Sequence, residues 1–176
     1  MKRWLLWVPL ILFLLFVGLV AMRLAGGKDD TIRSQMVGKP LPAFALKPMM
    51  EGRGTVRSAD LARGGQPVVL NIFASWCVPC AAEAPQLTAL KQRGIPIDAI
   101  AIRDRPDDVR QFLSRWGDPF RNIGSDPASQ VQFALGSAGV PETFIVDGKG
   151  IIRHQHIGII GEQDLPALIA AYEAAR

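Results

Sequence analysis

The stretch Pro67-Val68-Val69-Leu70-Asn71-Ile72-Phe73-Ala74-Ser75-Trp76-Cys77-Val78-Pro79-Cys80 sets the terms for the whole chain. Its first part, 67–73, is an apolar run of strand length, continuous rather than alternating, as in a strand buried on both faces. Its second part carries the only two cysteines of the 176 residues, separated by two positions where strand should give way to helix. A C-x-x-C at such a turn reads as a redox dithiol. The spacing lets two thiols close a small ring, and the partial positive charge of a helix N-terminus favours a thiolate at the first sulfur. Cys77 is therefore the expected attacking sulfur and Cys80 the resolving one. So small a ring constrains little of the unfolded chain, which makes a chemical role the better reading than a structural staple. Trp76, a bulky ring beside a surface dithiol, is expected to contact substrate as a lid.

Outward from this stretch, the spacing predicts a helix from about Val78 to Lys91, with Leu87, Leu90 and Ala84 on one face, a kink at Pro85 and a stop at Gly94. Ile95 to Ile102 reads as the next buried strand and Asp107 to Trp116 as the next helix, with Val109, Phe112 and Leu113 inward and Trp116 in the core with Phe112. Strand, helix, strand, helix implies a parallel pair with a right-handed crossover. Pro127 to Leu135 is a shorter helical stretch. Glu142 to Val146, the Asp147-Gly148 turn and Ile151 to Ile157 make an antiparallel hairpin, with His154 and His156 on an exposed face. A last helix covers about Gln163 to Ala174, with Leu165, Leu168, Ile169 and Tyr172 inward. Before the central strand lie an entry strand around Phe44 and Leu46, limited to an edge by Pro40 and Pro42, a short strand at 55–57, and a helical turn at 58–61.

The formal charge is +4, but Lys2, Arg3 and Arg23 lie in an N-terminal segment without an acid; without them 17 basic residues face 16 acidic ones. The folded part is close to neutral, which argues against a nucleic-acid surface. From Trp4 to Met22 the chain is apolar and uncharged, and at ~1.5 Å per residue this makes about 28 Å of helix, enough to cross a bilayer. Lys2 and Arg3 before it place the N-terminus in the cytoplasm. A membrane anchor over 1–26, a linker over 27–36 and a folded domain over 37–176 are expected. A cleaved leader is the competing reading, disfavoured because the run is long and Arg23 stands where a small residue is wanted. Either way the dithiol faces a compartment where disulfides persist. A zinc site built from the cysteines with His154 and His156, the only histidines, is the weaker alternative; no metal or other cofactor is expected. Ala81 after Cys80 excludes a C-x-x-C-H haem attachment site.

The order βαβα then ββα, with C-x-x-C after the first long buried strand and Pro141 just before the hairpin, resembles the thioredoxin fold, an α/β fold with a central mixed sheet flanked by helices. The resemblance implies that the Val140-Pro141 bond is cis, that its loop lies against the dithiol, and that Val140 offers its backbone to an extended substrate, with Pro141 beside it. Phe73-Ala74-Ser75-Trp76-Cys77-Val78-Pro79-Cys80-Ala81-Ala82-Glu83, joined to Gly139-Val140-Pro141-Glu142-Thr143-Phe144-Ile145-Val146-Asp147, is similar to the periplasmic thiol:disulfide interchange proteins of cytochrome c maturation, the DsbE/CcmG type. The likeness covers nearly the whole chain, the anchor included.

That resemblance implies a thiol-disulfide oxidoreductase, single-pass in a bacterial inner membrane with its soluble domain in the periplasm. It would reduce the haem-binding cysteines of apocytochrome c, or a dithiol protein of the haem-ligation assembly, with a transmembrane thiol reductase as electron donor. Thioredoxins carry a buried aspartate where this chain has Asn71, which cannot shuttle a proton. Glu83, one turn after Cys80, and Glu142, after the cis-proline, are implied to form an acidic rim near the sulfurs with a catalytic role. Acids there oppose the helix dipole and raise the thiol pKa, which predicts a reducing couple. The same residues also fit a general periplasmic thioredoxin-like reductase or a membrane-tethered apocytochrome-binding module.

Overall fold

The computed structural model describes residues 7–25, 35–137 and 139–176. The chain divides into two compact units, Met1–Arg33 and Ser34–Arg176. In the first, α1 (Val8–Ala25) is an 18-residue helix whose Leu12, Phe13 and Phe16 side chains are exposed. Among the described residues no helix is long and apolar enough to cross a membrane; Trp4, where the expected span begins, and most of the expected linker lie outside them.

The second unit is built on five strands: β3 (Val68–Phe73), β4 (Ile97–Ile102), β5 (Asn122–Asp126), β6 (Glu142–Val146) and β7 (Ile152–Ile157), in the order β5-β4-β3-β6-β7. β3 is central and buried along its whole length, which explains its unbroken apolar run. It pairs parallel to β4 through α3 (Val78–Gln92), and antiparallel to β6. β4 leads through α4 (Pro106–Trp116) to β5, again parallel, and β6 turns back as β7. This is a thioredoxin-like α/β fold with a mixed sheet. α3 continues through Pro85 and ends before Gly94, whose φ of +79° suits glycine. Phe73 stacks on Phe120 with ring centres 4.9 Å apart and meets Phe112 at 5.6 Å, which anchors the end of β3 just before the dithiol.

Two expectations need correction here. Trp116 is not core: it is about half exposed, while Phe112 four residues earlier is buried. β5 was not expected at all, because Asn122-Ile123-Gly124-Ser125-Asp126 shows neither an apolar run nor alternation. It pairs as a strand because both edges are served, β4 on one side and the backbone of 47–49 on the other, where Met49 N–H donates to Ile123 O and Ser125 N–H to Lys47 O. The small antiparallel pair β1 (Ala45–Leu46) and β2 (Val56–Arg57) packs over it. A short α2 (Ser58–Leu61) follows β2, and α5 (Gln130–Ala134) follows β5. Asp126 at the end of β5 accepts the backbone N–H groups of Gln130, Val131 and Gln132, the orphan donors of α5. α6 (Leu165–Ala174) closes the unit with Leu168 and Tyr172 buried.

A Cβ on Gly124 would lie 2.8 Å from Leu46 Cβ and 3.1 Å from Val56 Cβ. Gly124→Ala should therefore cost about 1–3 kcal/mol of stability in urea unfolding, through forced displacement of the small sheet; an unchanged midpoint would contradict this close packing.

Candidate active site

Cys77 occupies the position just before α3, with φ −86° and ψ 104°, and its sulfur accepts the backbone N–H of Cys80 at 3.1 Å. This is the bond that a serine or aspartate makes when it caps a helix. A thiolate at Cys77 would thus share, with the Cys77 carbonyl oxygen at 3.1 Å, a first-turn N–H donor at the positive end of the helix dipole. The two sulfurs form a disulfide, S–S 2.06 Å, and Pro79 lies in the first turn of α3, where its missing N–H costs nothing. Both cysteines are buried; Trp76 and Val78 beside them are exposed.

The turn ahead of the dithiol is held from the end of β4. Asp104 accepts from Ser75 twice, from the backbone N–H at 2.5 Å and from the hydroxyl at 2.6 Å. Trp76 donates its indole N–H to Arg103 O at 3.2 Å, and the Arg103 guanidinium lies 5.6 Å from the indole centre. Trp76 is thereby held against one side of the turn and stays more than half exposed.

Beneath Cys80 lies Glu83, fully buried. Asn71 of β3 donates its amide to Glu83 Oε1 at 2.9 Å and to Thr143 Oγ1 of β6 at 2.9 Å, while Ile160 N–H donates to Glu83 Oε2 at 3.1 Å. Asn71 Oδ1 is buried with no hydrogen-bond partner. Cys80, Glu83 and Asn71 line one narrow cavity of about 10 Å³, near the least room a water molecule needs. Burial pushes the Glu83 carboxyl from its ordinary 4.5 to about 7, against the opposing pull of the bonds from Ile160 and Asn71. A group with that affinity can take or give a proton at neutral pH.

The Val140-Pro141 bond is cis. Register explains where it lies: Ile72 pairs with Glu142, so one step further sets Pro141 beside Phe73, where β3 leaves for the dithiol. Gly158 N–H donates to Pro141 O at 3.0 Å, and Ser137 donates its hydroxyl to Gly139 O at 2.9 Å, so the loop is tied on both sides. No hydrogen bond among the described residues engages the Val140 backbone.

The expected acidic rim does not form. Glu83 and Glu142 are both buried, and they belong to opposite faces of the sheet. Thr143 faces Asn71 and Glu83; strand alternation turns its neighbour Glu142 to the other side, where it meets Gln155. Burial raises the Glu142 pKa, with hydrogen bonds from Ser137 and Gln155 opposing. His154 and His156, expected on an exposed face, are half-buried, and burial, with the neighbouring His156, lowers the His154 pKa. Two contributors gave no sequence signal: Asp104, an unremarked acid at a strand end, and the segment 158–160, whose role rests on backbone groups.

A helix-capped C-x-x-C beside a cis-proline on a thioredoxin-like frame defines a thiol-disulfide oxidoreductase. Residues 37–155 match the AhpC/TSA family. The thiol:disulfide interchange protein DsbE of Pseudomonas fluorescens is 39% identical over 165 residues, spanning 92% of this chain and 89% of that protein. HelX of Rhodobacter capsulatus, also a thiol:disulfide interchange protein, is 36% identical over 92% of this chain and 91% of its own length. A solved DsbE structure from Chlorobium tepidum superposes with a TM-score of 0.65 at 30% identity, covering 79% of this chain and 96% of that one. The chain belongs to the AhpC/TSA family and, within that fold, to the DsbE group of thiol:disulfide interchange proteins.

The raised Glu83 pKa has a signed consequence. Because the folded pKa exceeds the unfolded one, the native state holds a proton that the unfolded chain has lost, and stability falls as pH rises from about 4.5 through 7. That shift corresponds to roughly 3 kcal/mol. Unfolding titrations across this window should show the slope in the wild type and its loss in Glu83→Gln; parallel curves would contradict the assignment.

Proposed function

We propose that the protein is a membrane-anchored periplasmic reductant of disulfides in cytochrome c maturation. The observation that carries the chemistry is the Cys77–Cys80 pair capped on α3 directly above a buried carboxyl that titrates near neutrality. In the reduced protein, the Cys77 thiolate attacks one sulfur of the partner's disulfide. That S–S bond breaks, a Cys77–partner disulfide forms, and the departing partner thiolate takes a proton from solvent. Glu83 then accepts the Cys80 proton, and the Cys80 sulfur attacks Cys77 Sγ. The second partner sulfur leaves as a thiolate and takes up, through solvent, the proton held on Glu83; the partner has gained two electrons and two protons, Glu83 is again a carboxylate, and Cys77–Cys80 is oxidised. A dithiol reductant returns the pair to its starting state.

Trp76, beside Cys77 in the chain, and the open Val140 backbone of the cis-proline loop would receive an extended segment on either side of its disulfide, with the buried Pro141 shaping the floor. A C-x-x-C-H haem-binding segment of apocytochrome c, or a dithiol protein of the haem-ligation assembly, is the substrate class this reading names. The electron donor is a transmembrane thiol reductase. Glu142 acts at the cis-proline rather than on the sulfurs, since it lies on the far sheet face. The apolar run Trp4 to Met22, with Lys2 and Arg3 before it, supports a single-pass anchor in the inner membrane that raises the effective concentration of the domain near membrane partners.

Reduced Cys80→Ala, offered an oxidised peptide containing C-x-x-C-H, should accumulate a mixed disulfide through Cys77 and lose turnover by about 10²-fold or more. Cys77→Ala should form none. Unimpaired turnover in Cys80→Ala would remove the resolving role.

A further inference from the structure

One amide links Glu83 to a half-buried histidine of β7. The Ile159–Ile160 peptide group is planar, and both of its ends are engaged: its N–H donates to Glu83 Oε2 at 3.1 Å, and its carbonyl oxygen lies 3.1 Å from His156 Nε2. A carbonyl can only accept, so His156 Nε2 must carry the proton, in the neutral ring as in the charged one. Hydrogen bonds at the two ends of one amide polarise each other. A donor on the Ile159 oxygen makes Ile160 N–H a stronger donor to the carboxylate. Sheet register supplies a second connection. Asn71, Thr143 and His156 are lateral neighbours on β3, β6 and β7, so the row that begins at Glu83 Oε1 ends beside the same imidazole.

We propose that His156 is a positioning residue that tunes the proton affinity of Glu83 through the Ile159–Ile160 peptide. The inference rests on the reading of Glu83 as the proton acceptor for Cys80. Segment 158–160 acts as a strap. Gly158, at a φ of +92° that favours glycine, holds the cis-proline carbonyl; Ile160 holds Glu83; and His156 latches the carbonyl between them. Around this path the ionisable groups are Cys80 on the helix of Glu83, His154 on the strand of His156, and Asp164 on the following turn, 4.0 Å from His156 Nε2. Asn71 and Thr143, which face Glu83 from β3 and β6, do not ionise. Losing the His156 donor therefore weakens the support of the carboxylate without altering any charge in contact with it.

The test follows the Glu83 carboxyl carbon by NMR in full-length, glutamate-labelled oxidised protein, with the resonance assigned by its loss in Glu83→Gln. His156→Ala should raise the Glu83 midpoint by about half a pH unit or more, and His156→Gln, which keeps an N–H donor, should recover most of the difference. A Glu83 midpoint unmoved in His156→Ala, or an equal shift in the Ala and Gln variants, would overturn the proposal. If the midpoint moves as expected while the rate of Cys80 resolution does not follow it, the coupling stands and the role of Glu83 as base falls.

Discussion

A carboxyl group buried without a cation is the constraint on which this site depends. Among the described residues no lysine or arginine pairs with Glu83; it is held by one side-chain amide and one backbone N–H. Two hydrogen bonds to the charged form do not offset the loss of solvation, so the proton affinity rises to the neutral range. On the proposed reading, the resulting loss of stability above that pH is offset by function, since the same arrangement puts a proton acceptor beside a buried thiol. Helix capping at Cys77 and burial at Glu83 then act on different sulfurs. One favours charge at Cys77, and on the proposed reading the other takes up the proton of Cys80.

The frame makes this possible by bringing three distant segments to the end of β3. β3 itself supplies Asn71 and the path into the dithiol; β4 ends in Arg103 and Asp104, which fix the turn; β6 begins at the cis-proline; and the strap after β7 reaches back to both Pro141 and Glu83. Parallel β3–β4 and antiparallel β3–β6 pairing are both needed, since only a mixed sheet places a strand end and a strand start on opposite sides of one strand. The two acids thus lie on separate faces of the sheet, Glu83 with Asn71 and Glu142 with Gln155.

Much of this is legible from the residues. The unbroken apolar run to Phe73 identifies the central strand, the cysteine spacing identifies the chemistry, and the Asp147-Gly148 turn identifies the hairpin. The i+3 offset from Cys80 puts Glu83 on the correct side of α3. Its burial is not legible, because that depends on Asn71 and Ile160, one on another strand and one 77 residues away through a backbone group that carries no sequence identity. The separation of Glu142 from Glu83 follows from strand alternation once Asn71 and Thr143 are known to meet, a contact no local pattern reveals. β5 escapes for a related reason: its polar residues are stabilised by pairing on both edges and by capping of α5, not by burial of a recognisable apolar face.

The most direct test of the account is the pH dependence of a single step, the release of a preformed Cys77 mixed disulfide by Cys80, followed in stopped flow with full-length protein from about pH 5 to about pH 9. Wild type should show a rate that rises with an inflection at the Glu83 midpoint, about 7. Glu83→Gln should lose that inflection and run roughly 10²-fold slower at neutral pH. Identical profiles in the two proteins would contradict the claim that the buried carboxyl receives the resolving proton.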